Sequence, residues 1–151
     1  MWTPNTEYSN EKTRKLLLEE VTQMASDYKD TKGLLLFLLG NENNYGLFWD
    51  GAETENIPIE DRKSTIRARE MYKLFNEAAV AMKAIDSNHP VALCNGDLLF
   101  LDIIAQECKD VDIFGTNVYR GVSFGDLFER VKRNTESRFY LLSLVQMPLM
   151  L

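Results

Sequence analysis

Between Gly33 and Gly40 the chain reads Leu-Leu-Leu-Phe-Leu-Leu, six apolar residues with no polar interruption. A run this short and uniform predicts a strand covered on both faces, because a strand with one wet face alternates apolar and polar residues. Strands of that kind belong to parallel sheets with helices packed on them. Two further runs, "HPVALCNG" and "VDIFGTNVY", have the same character, and helical patterns separate all three. "SNEKTRKLLLEEVTQMASDYKD" predicts a helix capped by Ser9 or Asn10, with Leu17, Val21 and Met24 on one face. "DRKSTIRAREMYKLFNEAAVAMKAID" predicts a long helix with Ile66, Met71, Phe75, Ala78, Met82 and Ile85 at helical spacing. "DLLFLDIIAQECKD" predicts a third helix that Asp97 can cap, and "SFGDLFERVKRN" a fourth. The stretch "NNYGLFWDGAETENIPIE" reads as a loop. The order α-β-α-β-α-β-α implies an α/β fold with a parallel sheet and right-handed crossovers. Two architectures fit it: a small doubly wound sheet, or part of a (β/α)8 barrel, which in full takes about 250 residues.

Charge and motif content narrow the functions. The chain of 151 residues carries a net charge of −6 and no basic block, which argues against a nucleic-acid partner. Its longest apolar run is far too short to span a membrane. "MWTPNTEYSN" has neither the basic nor the apolar region of a signal peptide, and localisation stays open. Cys94 and Cys108 match no metal or redox spacing and read as reduced core thiols, and His89 is the only histidine. No Gly-rich phosphate loop follows any strand. The expectation is therefore no metal and no cofactor.

Function in both architectures gathers at the carboxyl ends of the strands. Those ends read Asn41-Glu42-Asn43, then Cys94-Asn95-Gly96-Asp97, then Asn117-Val118-Tyr119-Arg120. Each strand hands over from aliphatic to hydrogen-bonding residues at one edge. Tyr45, Phe48 and Trp49 follow the first of them. Amides and acids bind hydroxyls, and flat rings cover the apolar face of a pyranose, so the set suits a sugar. The aromatic residues equally suit a rim that only covers the core. Asn95 and Asp97 suit a turn and a cap as well as a ligand.

"LLGNENNYGLFW", "DSNHPVALCNGD" and "DIFGTNVYRG" resemble, in that order, the catalytic barrel of family 2 glycoside hydrolases, the β-galactosidase and β-glucuronidase family. The ordered features are an Asn-Glu pair ending a strand, an Asp-x-x-x-Pro helix end entering the next strand, and Asn-x-Tyr. The resemblance implies that residues 1–136 are a partial TIM barrel, from about its third helix to its sixth. "GLLLFLLGNE", "PVALCN" and "DIFGTNVY" would be barrel strands four, five and six. It implies a retaining β-glycosidase that hydrolyses O-glycosidic bonds by double displacement. Glu42 matches the general acid/base and Tyr119 the tyrosine near the nucleophile. Asn41 matches the amide that binds the sugar 2-hydroxyl, with Asn95, Asn117, Tyr45 and Trp49 as further substrate-binding candidates. Such an acid must hold its proton near neutrality, which an apolar strand end favours.

The resemblance also calls for a nucleophile in a Thr-Glu-Phe/Tyr-Gly motif on strand seven. Residues 137–151, "SRFYLLSLVQMPLML", carry no such motif and read as an aberrant tail. Permitted codons for this tail, read from the third base onward, encode Thr-Glu-Phe-Gly, with the glutamate across the Leu142–Ser143 junction. A shifted reading frame is therefore the expectation for 137–151. Strands one to three would also lack counterparts, so the chain alone is expected to be inactive. Its bare barrel edges are expected to drive self-association. The alternatives are a non-catalytic carbohydrate-binding fragment and a small doubly wound ligand-binding domain.

Overall fold

The computed structural model describes residues 6–48, 56–119 and 123–134, together with the main chain of 138–145. In chain order these form α1 (Glu11–Tyr28), β1 (Phe37–Leu39), two 3-10 turns (Asn43–Phe48 and Ile59–Asp61), α2 (Lys63–Ile85), β2 (Val91–Gly96), α3 (Leu101–Glu107), β3 (Ile113–Tyr119), α4 (Leu127–Asn134) and β4 (Arg138–Val145). The four strands make one parallel sheet in the order β1-β2-β3-β4. Helix packing follows the same order: α1 lies on α2, α2 on α3 and α3 on α4. The expected α/β alternation is therefore present.

Side chains dictate most of the boundaries. Asn10, not Ser9, starts α1; its Oδ1 accepts from the main-chain N–H groups of Lys12 at 3.0 Å and Thr13 at 3.2 Å. Helix α2 buries Ala68, Met71, Tyr72, Ala78, Ala79 and Met82, a stripe at three- and four-residue spacing that faces the sheet. Ile66, expected on that stripe, is exposed because it sits about 160° around the helix from Ala68 at 100° per residue. Helix α3 starts later than expected. Asp97 accepts from the N–H of Leu98 at 2.8 Å and so serves a turn, and Phe100 in the left-handed region (φ 60°) precedes the helix.

The first strand is the main departure. Only Phe37–Leu39 pair with β2, and Leu35 and Leu38 are 81 % and 41 % exposed. The run Gly33–Gly40 thus forms a sheet edge with one open face, not a strand buried on both sides. Residues 138–145, within the tail read as a frame-shifted strand-seven region, form β4. Their main chain pairs with β3 from Ile113 to Tyr119, with an irregularity between Thr116 and Asn117.

The Asp-x-x-x-Pro element has a structural cause. Asp86 ends α2, and its buried carboxylate takes the N–H groups of Asn88 at 2.9 Å and His89 at 3.3 Å, and His89 Nδ1 at 2.6 Å. The loop is thereby folded so that Pro90 delivers Val91 into β2. The hydrogen bond from His89 holds the Asp86 carboxyl below its ordinary value, and the two main-chain N–H groups act in the same direction against the effect of burial. A folded pKa below the unfolded value of about 3.9 gives stability that is full above that pH and lost as pH falls through the folded pKa. Urea midpoints between pH 5 and pH 3 should therefore fall more for the native chain than for Asp86→Asn. Equal slopes would remove Asp86 from the acid response.

Candidate functional site

Strand alternation divides the carboxyl edge into two faces with different tasks. Asn95, on β2, points toward the helices. Its Oδ1 accepts from Tyr72 Oη of α2 at 2.6 Å, and its Nδ2 donates to the carbonyls of Asp97 at 2.9 Å and Leu99 at 3.0 Å. Thr116, opposite it on β3, donates to the Asp97 carbonyl at 2.9 Å. Asn95 and Thr116 are fully buried. Burial pushes the Tyr72 phenol well up, with smaller contributions from Cys108 and Tyr8, so it remains a donor. This knot fixes the turn after β2. The Asn95 carboxamide, read in the sequence as a substrate-binding candidate or a turn residue, is satisfied inside the protein and serves the turn.

The other face carries the remaining candidates. Gly40 turns the chain out of β1 at φ +66°, and the Asn43 side chain fills the space where a Cβ would stand. Glu42 follows, itself left-handed at φ 52°, a conformation that strains a non-glycine residue by about 1 kcal/mol. Its N–H donates to the Cys94 carbonyl at 3.0 Å, which ties the turn to β2. Asn41 Oδ1 accepts from Asn117 Nδ2 of β3 at 2.9 Å and from Cys94 Sγ at 3.3 Å. Tyr119, the last residue of β3 and 48 % exposed, donates its Oη to Glu42 Oε1 at 2.9 Å. Asn41, Glu42, Asn117 and Tyr119 are therefore brought together by main-chain elements that are up to 78 residues apart in sequence, as the numbering shows.

Tyr45 lies half-buried over β2, where its ring occupies the space a Cβ at Gly96 would need. Asn44, beside it, is wholly buried and bonds both main-chain groups of Gly96: Nδ2 to the carbonyl at 2.8 Å, and Oδ1 from the N–H at 2.7 Å. Phe48 stacks on Phe100 with ring centroids 5.4 Å apart. Trp49 lies outside the described residues. Sequence reasoning passed over Asn44; the one signal for it is a second asparagine directly after Asn43, in a turn that needs a polar anchor.

The electrostatics follow from Glu42. Donating to its carboxylate raises the Tyr119 pKa, with burial and the Glu42 charge adding to the effect. Burial raises Tyr45 first, and the charges of Glu42 and Asp97 push it further. Burial also raises Cys94, so its sulfur keeps the proton it gives to Asn41. Burial and the neighbouring Glu107 push Cys108 up to about 12; both thiols are buried and unpaired. Among the described residues, Glu42 Oε2, Asn41 Nδ2 and Asn117 Oδ1 have no partner in the protein. The edge thus presents a carboxylate oxygen, an amide donor and an amide acceptor together. That is a set able to bind hydroxyls and move a proton.

Among the described residues no group of three or more His, Cys, Asp or Glu is placed to hold a metal ion, and no helix is long and apolar enough to cross a membrane. A scan against protein-family models found no match to this chain, and a search of curated proteins found none.

Proposed function

We propose that this chain is part of the catalytic barrel of a retaining β-glycosidase, with Glu42 as its general acid/base. The observation that supports it is the meeting of Asn41, Glu42 and Tyr119 at the carboxyl edge of a parallel sheet whose strands follow chain order. A barrel winds in that single direction, whereas a doubly wound sheet reverses at a switch point, and the four strands here do not reverse. Tyr119 occupies Oε1 of Glu42, so Oε2 is the oxygen that delivers the proton to the leaving group. Asn41 Nδ2 serves a sugar hydroxyl. Double displacement needs a second carboxylate about 5–5.5 Å from the first. In this reading it comes from the shifted frame across Leu142–Ser143, and the chain as written lacks it. The open outer edge of β1 then receives a neighbouring strand, or a second copy of the chain in its absence.

The test combines binding with turnover, using β-galactoside, β-glucuronide, β-glucoside and β-mannoside. Saturation-transfer NMR on the methyl glycosides should show binding of at least one, weakened by Asn41→Ala. The nitrophenyl glycosides should release no nitrophenol. If none of the four sugars binds, the carbohydrate reading is lost. Nitrophenol release that Glu42→Gln abolishes would instead overturn the inactive half of it, because a second carboxylate must then be serving.

A further inference from the structure

We propose that Asn44 is a positioning residue of this site: its carboxamide clamps both main-chain groups of Gly96 and so holds the Asn41–Tyr45 turn with Glu42 against Tyr119. Only the purpose of this placement rests on the glycosidase reading. The clamp itself rests on geometry.

Four observations carry it. The Asn44 side chain is completely buried, and a buried carboxamide is retained only where its donor and acceptor are both met. Both are met by one residue, Gly96, at 2.8 Å and 2.7 Å, the pairing that a neighbouring strand would offer. Asn44 therefore continues the sheet past β1, which ends five residues earlier at Leu39. The partner cannot be exchanged freely, since the Tyr45 ring lies against Gly96 where a Cβ would stand. Finally, Glu42 two residues away is in a strained left-handed conformation. Such a conformation persists only where its surroundings impose it. The main-chain bond from Glu42 to Cys94 fixes one side of the turn, and the Asn44–Gly96 clamp fixes the other.

A purely structural asparagine would affect stability and leave the Glu42–Tyr119 contact alone. The two roles separate in a titration of the tyrosines. The chain, labelled with carbon-13 at tyrosine Cζ, is followed by NMR through alkaline pH, and Tyr119 is the one signal of six that Tyr119→Phe removes. In the native chain Tyr119 should titrate above the ordinary value of about 10, because it donates to the Glu42 carboxylate. In Asn44→Ala, folded by far-UV circular dichroism, its midpoint should fall back toward that value. Asn76→Ala, which breaks a pair with Asp110 between α2 and the loop before β3, should leave it unmoved. A folded Asn44→Ala with Tyr119 titrating as in the native chain overturns the proposal. So does a native Tyr119 with an ordinary midpoint. If Asn44→Ala does not fold, the uncharged Asn44→Ser is read by the same criterion. No substrate enters this measurement, so a failure of sugar binding leaves its outcome intact.

Discussion

Asn95→Ala is expected to lower the stability by about 3 kcal/mol, near 10 °C in Tm for a chain of this size. The substitution strands the Tyr72 hydroxyl inside the protein, takes one of two side-chain donors from the Asp97 carbonyl, and removes the side-chain donor from the carbonyl of the exposed Leu99. The stranded hydroxyl costs about 1–3 kcal/mol, since water cannot replace its lost partner, and the two lost hydrogen bonds to carbonyls add about 1 kcal/mol. Tyr72→Phe strands only the Asn95 Oδ1 and keeps the bonds from Nδ2, so it should cost less, about 1–2 kcal/mol. The two substitutions should not be additive, because they share a bond. Urea denaturation of both single variants and the double variant checks this. A residue that served a ligand at the surface would change stability by less than about 0.5 kcal/mol, and that result would return Asn95 to the substrate-binding set.

The next residue gives the second large effect from the opposite face. Gly96→Ala should cost about 2–3 kcal/mol through overpacking. The added Cβ would meet the ring body of Tyr45, which cannot swing aside like the tip of a flexible chain. The clamp from Asn44 to Gly96 keeps the two segments from separating. The same variant should alter the near-ultraviolet circular dichroism, as Tyr45 is forced from its place. A variant as stable as the native chain, with an unchanged spectrum, would mean that the ring has free space beside it.

These adjacent residues show what a sequence can and cannot reveal. The alternation of helices and strands was legible because apolar periodicity reports burial directly. Glu42 and Tyr119 were legible as neighbours because parallel strands put their carboxyl ends at one edge. Asn95 was not, because its orientation depends on a single step of the pleat, and one residue decides between solvent and core. The run before Gly40 could not disclose that β1 is an edge, since its neighbours are set by topology and not by its own composition. The turn after β2 hid the true start of α3, because Asp97 is as able to hold a turn as to cap a helix. The segment "RFYLLSLV" is rich in strand-forming residues and forms β4.

The strict chain order of the sheet also bears on how its carboxyl edge is held. Each strand rests mainly on the strands next to it in chain order, and each helix on the neighbouring helices. One core cluster, from Tyr8 and Ala25 through Met71, Leu93 and Phe114 to Val131, runs through the whole of this succession. Within it lies β2, flanked by β1 and β3 and buried at every residue. The tie that Glu42 makes to Cys94 and the clamp that Asn44 makes to Gly96 both end on that strand. The chemistry at the edge is therefore moored to a strand that is paired on both sides and buried along its whole length.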